Sequence, residues 1–313
     1  MKARFAITPL ALMLFASLPL GASTFFVTVA GLGGEPDYEQ RFTAAANDLD
    51  HILKSSGGDA HVFTVTGTSS TRQHIQDTLA EVAREAKPED DFVLILIGHG
   101  TSDGVEYKFN LPGPDVSATE LASWCDRIAA KRQLIVNTTS ASGGSISAFD
   151  RPGRAVITAT KSGTEKNATV FARYWIDALR DPTADVNKND AITAMEAFDY
   201  ASAKTAAFYD TQKRLATEHA VFEDTGKHEI ARAASSDTGE GRSLSNFTLL
   251  RLDAAQKAFA DPAKRNLLAK KEELEQKIDM LKYQKAAMGL DDYKQQLTQA
   301  LVDLARVQQE IDK

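Results

Sequence analysis

Six consecutive apolar residues, Phe92-Val93-Leu94-Ile95-Leu96-Ile97, stand between Asp91 and Gly98. A run this short cannot span a membrane, and it leaves no polar face to meet water. It fits a strand buried on both sides, as in the middle of a parallel sheet. Parallel neighbours need crossover helices between them, and the sequence provides these. Thr24–Ala30, Ala60–Thr66, Gln133–Asn137 and Arg154–Thr158 are further runs of strand length. Glu39–Lys54, Thr71–Glu85 and Ser117–Ala130 lie between runs and show the three-and-four spacing of helices. The order predicts an α/β fold: a doubly wound, mostly parallel sheet flanked by helices. Asn167–Leu179 and Thr193–Phe208 read as further helices, and the Ser-, Gly- and Asp-rich stretch Ser235–Ser245 reads as a loop. With 43% hydrophobic residues in 313, the chain can cover both faces of such a sheet.

The two ends differ from this body. Residues 1–23 have a basic start (Lys2, Arg4), an apolar run from Phe5 to Leu20 broken by Pro9 and Pro19, and a small-residue exit at Gly21-Ala22-Ser23. That is the layout of a secretory signal peptide, so the mature protein is expected to be exported, periplasmic or extracellular, with no membrane span left after removal. From Pro262 onward the composition shifts to Lys, Glu, Gln, Leu and Ala. Leu267, Leu274, Ile278 and Leu281 precede Gly289, and Leu297, Leu301, Leu304 and Ile311 follow it. These steps predict an α-helical, coiled-coil-like hairpin over 262–313. Its seam packs on itself, on the body, on another copy or on a protein partner. The expected division is therefore a leader at 1–23, a body at 24–232, a connecting segment at 233–261 and the hairpin.

Composition removes several functions. Net charge is −7, and no basic cluster exceeds Lys270-Lys271, which argues against a nucleic-acid surface. The single cysteine, Cys125, excludes an intramolecular disulfide and a thiolate metal cluster. Cys125 shares an apolar helix face with Leu121, Trp124 and Ile128, which is a packing position with nothing to ionise the thiol. His51, His61, His74, His219 and His228 show no zinc-ligand spacing. Gly31-Leu32-Gly33-Gly34 follows the first strand as a phosphate loop would, yet Pro36 takes the third glycine's place and no acidic residue ends the second strand. No organic cofactor is expected.

In an open parallel sheet the site lies beyond the carboxyl ends of the strands. The run ending at Ile97 exits through Gly98-His99-Gly100, and the run ending at Asn137 exits through Thr138-Thr139-Ser140-Ala141-Ser142-Gly143-Gly144. If these strands are neighbours, a histidine meets a hydroxyl-rich turn. The amides of Gly100 and of that turn are then candidate oxyanion donors. Ile95-Leu96-Ile97-Gly98-His99-Gly100, Thr139-Ser140-Ala141-Ser142-Gly143 and Ile157-Thr158-Ala159-Thr160-Lys161-Ser162-Gly163-Thr164-Glu165 together resemble the legumain and caspase group of cysteine peptidases, over about residues 24–220. The resemblance implies a caspase-like sheet, peptide or protein ligands in a cleft, and catalytic roles at His99, Gly100 and position 140. There this chain has Ser140 where the family has its nucleophilic cysteine. A serine hydroxyl is the poorer nucleophile near neutral pH, and no acidic residue adjoins His99 to orient it. Three readings follow: a degenerate peptidase, a Ser140/His99 peptide hydrolase, or a non-catalytic binding or scaffolding protein.

A second motif stands at 185–196. Asp185, Asn187, Asn189, Thr193 and Glu196 occupy positions 1, 3, 5, 9 and 12 of an EF-hand calcium loop, with Ala191 at position 7 to offer its carbonyl. Asp190 stands where glycine is usual. A structural Ca²⁺ is the expectation; a capping box from Thr193 to Glu196 is compatible with it.

Overall fold

The computed structural model describes residues 22–55, 60–252, 255–257, 261–285 and 288–313. The expected leader lies outside them except for its last two residues. Six strands form the main sheet: β1 (Thr24–Ala30), β2 (Ala60–Val65), β3 (Asp91–Ile97), β7 (Arg132–Asn137), β8 (Arg154–Thr158) and β10 (Val221–Glu223). Their order is β10-β8-β7-β3-β1-β2, with β10 antiparallel to β8 and all other pairs parallel. All seven residues of β3 are buried, as its unbroken apolar run demands.

Because side chains alternate across a strand, the sheet feeds two cores. Val93, Ile95 and Ile97 pack with Trp175 and Phe198, carried by α5 (Phe171–Ala178) and α6 (Ala194–Thr211), and with Leu49 and Leu53 of α1 (Pro36–Ser55). Phe92, Leu94 and Leu96 pack on the other face with Ile75 and Leu79 of α2 (Arg72–Glu85), Leu121 of α3 (Ala118–Cys125) and Phe149 of α4 (Ile146–Phe149). Each such side chain removed from water contributes about 1.5–3 kcal/mol.

The helix expected to reach Ala130 stops at Cys125. The Gln133 side chain donates to the carbonyls of Cys125, Ile128 and Ala130 (3.2, 3.2 and 3.3 Å), so the chain can turn without leaving those acceptors unpaired. Cys125 is buried and its thiol is pushed up to about 12 by that burial, in keeping with a packing position.

Short strands add detail that the sequence pattern does not carry. A small antiparallel sheet of β4 (Gly100–Ser102), β5 (Tyr107–Phe109) and β6 (Val116–Ser117) follows β3. The segment read as a connector holds α7 (Arg242–Ser245) and β11 (Thr248–Arg251), which pairs antiparallel with β9 (Ala191–Thr193). Beyond it, α8 (Pro262–Gln284) and α9 (Leu290–Ile311) form the hairpin. Ile278 and Leu281 pack against Ala300, Leu297 and Leu304, while Leu268 rather than Leu267 turns inward, and Leu301 is 48% exposed. The hairpin also docks on the body: Arg251 clasps Glu272 with two bonds (2.7 and 2.9 Å), and Asn189 donates to Glu275 (3.2 Å). No helix among the described residues is long and apolar enough to cross a membrane.

Candidate functional site

The strands β3 and β7 are paired in parallel with Leu96 opposite Asn137, so their two exits leave the same edge side by side. The amide and hydroxyl of Thr138 both donate to the Leu96 carbonyl (3.0 and 2.7 Å), holding the exits in register. Chain order reverses between β1 and β3, so this edge is also the switch point of the sheet, where clefts form. The loop after β1 closes it from the other side, with the Gly31 amide donating to the Ile97 carbonyl (2.8 Å).

Ser140 lies at this edge and is only 3% exposed. Its hydroxyl is committed twice to one residue: it accepts from the Gly100 amide (3.1 Å) and donates to the Gly100 carbonyl (3.0 Å). The Gly100 amide is thus engaged by the hydroxyl rather than free for an oxyanion. Gly100 must lack a side chain because a Cβ there would fall 2.4 Å from the Tyr107 ring and 2.6 Å from the Ser140 carbonyl oxygen. Tyr107 crosses the glycine and its hydroxyl bonds Thr139 (2.6 Å); burial pushes that phenol up to about 12.

His99 is half-buried and faces away from this ring of bonds. Its imidazole stands edge-on to Tyr38 and Phe42 of α1, with centroids 4.8 and 5.1 Å away, and bonds the Gly33 backbone. Burial holds its pKa below the usual imidazole range, the Gly33 bond opposes this, and the nearby Arg41 charge adds to the lowering. Among the described residues no hydrogen bond joins His99 to Ser140. The group that orients the imidazole is a backbone carbonyl, not a carboxylate. Asp103, the nearest acid in sequence, spends its Oδ1 on the amides of Val105 and Glu106. Gly33 is itself fixed by Glu39, whose carboxylate accepts its amide (2.8 Å) where a phosphate loop would offer that amide to a ligand.

The turn after Ser140 is strained. Ala141 is fully buried at φ 55°, a left-handed conformation that a non-glycine residue adopts only under constraint, costing about 1 kcal/mol or more. Its amide donates to the Glu165 carbonyl (2.7 Å), and the Glu165 carboxylate binds His219 through ring Nδ1 (2.6 Å) and amide (3.1 Å). Gly33, Tyr38, Phe42, Tyr107, Ala141 and Glu165 thus shape the site without having been read as site residues in the sequence. Gly33, Ala141 and Glu165 lie in segments that carried a signal; Tyr38, Phe42 and Tyr107 carried none.

The 185–196 loop folds as a compact turn. Asp185 accepts from the amides of Asn189 and Asp190 (3.2 and 3.0 Å), Asn187 from Asn189 (3.0 Å) and Asn189 from Ala191 (3.0 Å). Glu196 reaches back to the Val186 amide (3.2 Å) and completes the capping box with Thr193. Asp190 takes φ 65°. Lys271 of α8 donates to the Asn189 carbonyl (3.1 Å). Among the described residues no group of three His, Cys, Asp or Glu side chains is arranged to hold a metal, and the loop's other oxygens come from amides, a hydroxyl and a carbonyl.

No family model matches the chain, and no curated protein matches it. Solved structures similar in shape include the following two. The Geobacter sulfurreducens protein GSU0716 is 12% identical at a TM-score of 0.46, over 67% of this chain and 95% of its own. The Drosophila initiator caspase Dronc is 11% identical at a TM-score of 0.41, over 67% of this chain and 81% of its own.

Proposed function

We propose that this chain is an exported member of the caspase and legumain type of fold that has lost its nucleophile and holds peptide or protein segments without cutting them. The observation that carries this reading is the closure of the Ser140 hydroxyl on both backbone groups of Gly100, away from His99. A serine acts in acyl transfer when a base takes its proton and free amides receive the oxyanion; here the hydroxyl proton goes to the Gly100 carbonyl and the Gly100 amide is held by the hydroxyl. The test is a fluorogenic peptide panel with the full mature chain, Ser140→Ala, His99→Ala and Ser140→Cys. Wild type, Ser140→Ala and His99→Ala are expected to be equally inactive, and Ser140→Cys to stay inactive as well, because among the described residues no hydrogen bond links His99 to that position. Cleavage by wild type that both alanine variants abolish would overturn the reading in favour of a serine hydrolase.

We also read the 185–196 loop as a calcium site of structural kind. Asp190 already takes the left-handed conformation that the sixth position of such a loop requires. Calcium at about 5 mM, within reach of a weak extracellular site, is expected to raise the melting temperature of wild type and not of Glu196→Gln. Equal response of the two proteins, or none in wild type, counts against it.

A further inference from the structure

Away from Ser140, two carboxyl groups are buried against each other. The Asp150 side chain, in the turn after α4, is 0% exposed; its Oδ1 has no hydrogen-bond partner and its Oδ2 meets only the His228 imidazole. Facing it is Glu223 at the end of β10, also 0% exposed. Its Oε1 accepts from the Thr225 amide and hydroxyl (3.0 and 2.6 Å) and the Lys227 amide (3.2 Å), whereas Oε2 has no partner. Two ionised carboxylates so placed would repel each other in a medium that screens poorly, and one shared proton removes the repulsion and pairs one oxygen of each. The imidazole of His228 closes the pair from the solvent side, in contact with Asp150 Oδ2.

This pair stands at the root of a loop. Phe222 and Ala231 exchange amide bonds (2.9 and 2.8 Å), tying together the two ends of residues 223–230. Gly226 rests on the backbone of Arg151 and Pro152, so the loop lies on the same turn that carries Asp150. Its His228 and Ile230 form one wall of a cavity of roughly 530 Å³, whose opposite side includes Ser102, Gly143 and Ser162 near the Ser140 turn. We propose that one proton shared between Asp150 and Glu223 latches loop 223–230 against the body, and that its loss to water as pH rises frees this wall of the cavity.

The neighbouring charges are otherwise engaged. Arg151 and Arg154 both bind Asp126. Asp224 accepts from the amides of Gly241, Ser243 and Leu244. Lys227 and Glu229 are exposed on the loop itself. Burial first, then Glu223, push the Asp150 carboxyl above 3.8, with His228 opposing. The latched state therefore binds more protons than the open one. Latching is complete below 3.8, weakens as pH rises through the elevated value, and is level above it.

Amide hydrogen exchange of 224–231 in the full chain, corrected for intrinsic base catalysis, tests this between about pH 4 and about pH 8. Wild type is expected to lose protection across that span, in the direction set by the raised Asp150 carboxyl. In Asp150→Asn the amide donates to Glu223 as the protonated acid does, and protection is expected to stay level. In His228→Ala the loss is expected to move to higher pH, because an opposing charge has gone. A level wild-type profile, or an unchanged slope in Asp150→Asn, overturns the proposal. So does a level profile in His228→Ala, which would assign the titration to the imidazole. Should Asp150→Asn fail to fold, Glu223→Gln is to give the level profile in its place, and a wild-type slope there is equally fatal.

Discussion

Arg154→Met is expected to destabilise the protein by about 3–5 kcal/mol, the range for breaking a buried charged network from one side. The Arg154 side chain is 2% exposed, and each of its nitrogens is used: to Gln133 Oε1 (2.9 and 2.8 Å), to the Phe149 carbonyl (3.1 Å) and to Asp126 (2.7 Å). Asp126 is 51% exposed, so its charge is well screened and contributes little of the loss. The larger part comes from leaving Phe149 and Gln133 with unpaired buried acceptors. Gln133 in turn holds the three carbonyls that end α3, so the damage spreads from β8 to that helix. Lysine cannot replace the fork, and Arg154→Lys is expected to recover less than half of the loss. Urea denaturation measures both, and a cost below about 1 kcal/mol for Arg154→Met would contradict the network.

Gly143→Ala is expected to cost about 3 kcal/mol, at the upper end for overpacking. A Cβ at this position would sit 2.2 Å from the Ser162 amide nitrogen and 2.4 Å from the Lys161 carbonyl carbon, backbone atoms that no rotamer change can move. The turn after Ser140 and the loop after β8 meet here without space for a methyl group. Gly34→Ala is the control: a Cβ there meets nothing within 4 Å, although φ is +77°. Its cost is the conformational one alone, about 1 kcal/mol. At about 2–4 °C per kcal/mol, melting temperature separates the two variants. Equal shifts would mean that the loops give way and that the close approach does not matter.

The parallel core was legible because its strands are long and apolar on both faces, and five of the six main-sheet strands fall where the runs predict. β10 escaped because three residues, Val221–Glu223, are too few to show a period, and the same holds for β4, β5, β6, β9 and β11. The meeting of the two exits could be inferred once β3 and β7 were read as strands. Where the side chains point could not. His99 turns toward Tyr38 and Phe42 because α1 crosses the sheet there, and Ser140 closes on Gly100 because Tyr107 packs over that glycine from a strand of three residues. Both are tertiary effects with no periodicity of their own. In the hairpin the heptad pattern found the right helices but assigned Leu301 to the seam; it lines instead a cavity against the 185–196 loop, since the hairpin packs on the body as well as on itself.

The state of the Ser140 hydroxyl can be read chemically. A fluorophosphonate modifies a serine when a base removes the hydroxyl proton and free amides hold the developing oxyanion. Intact-mass analysis of the protein after prolonged incubation with such a probe is expected to show no adduct at Ser140. A single adduct mapped to Ser140, absent in His99→Ala, would contradict the account and establish an activated serine.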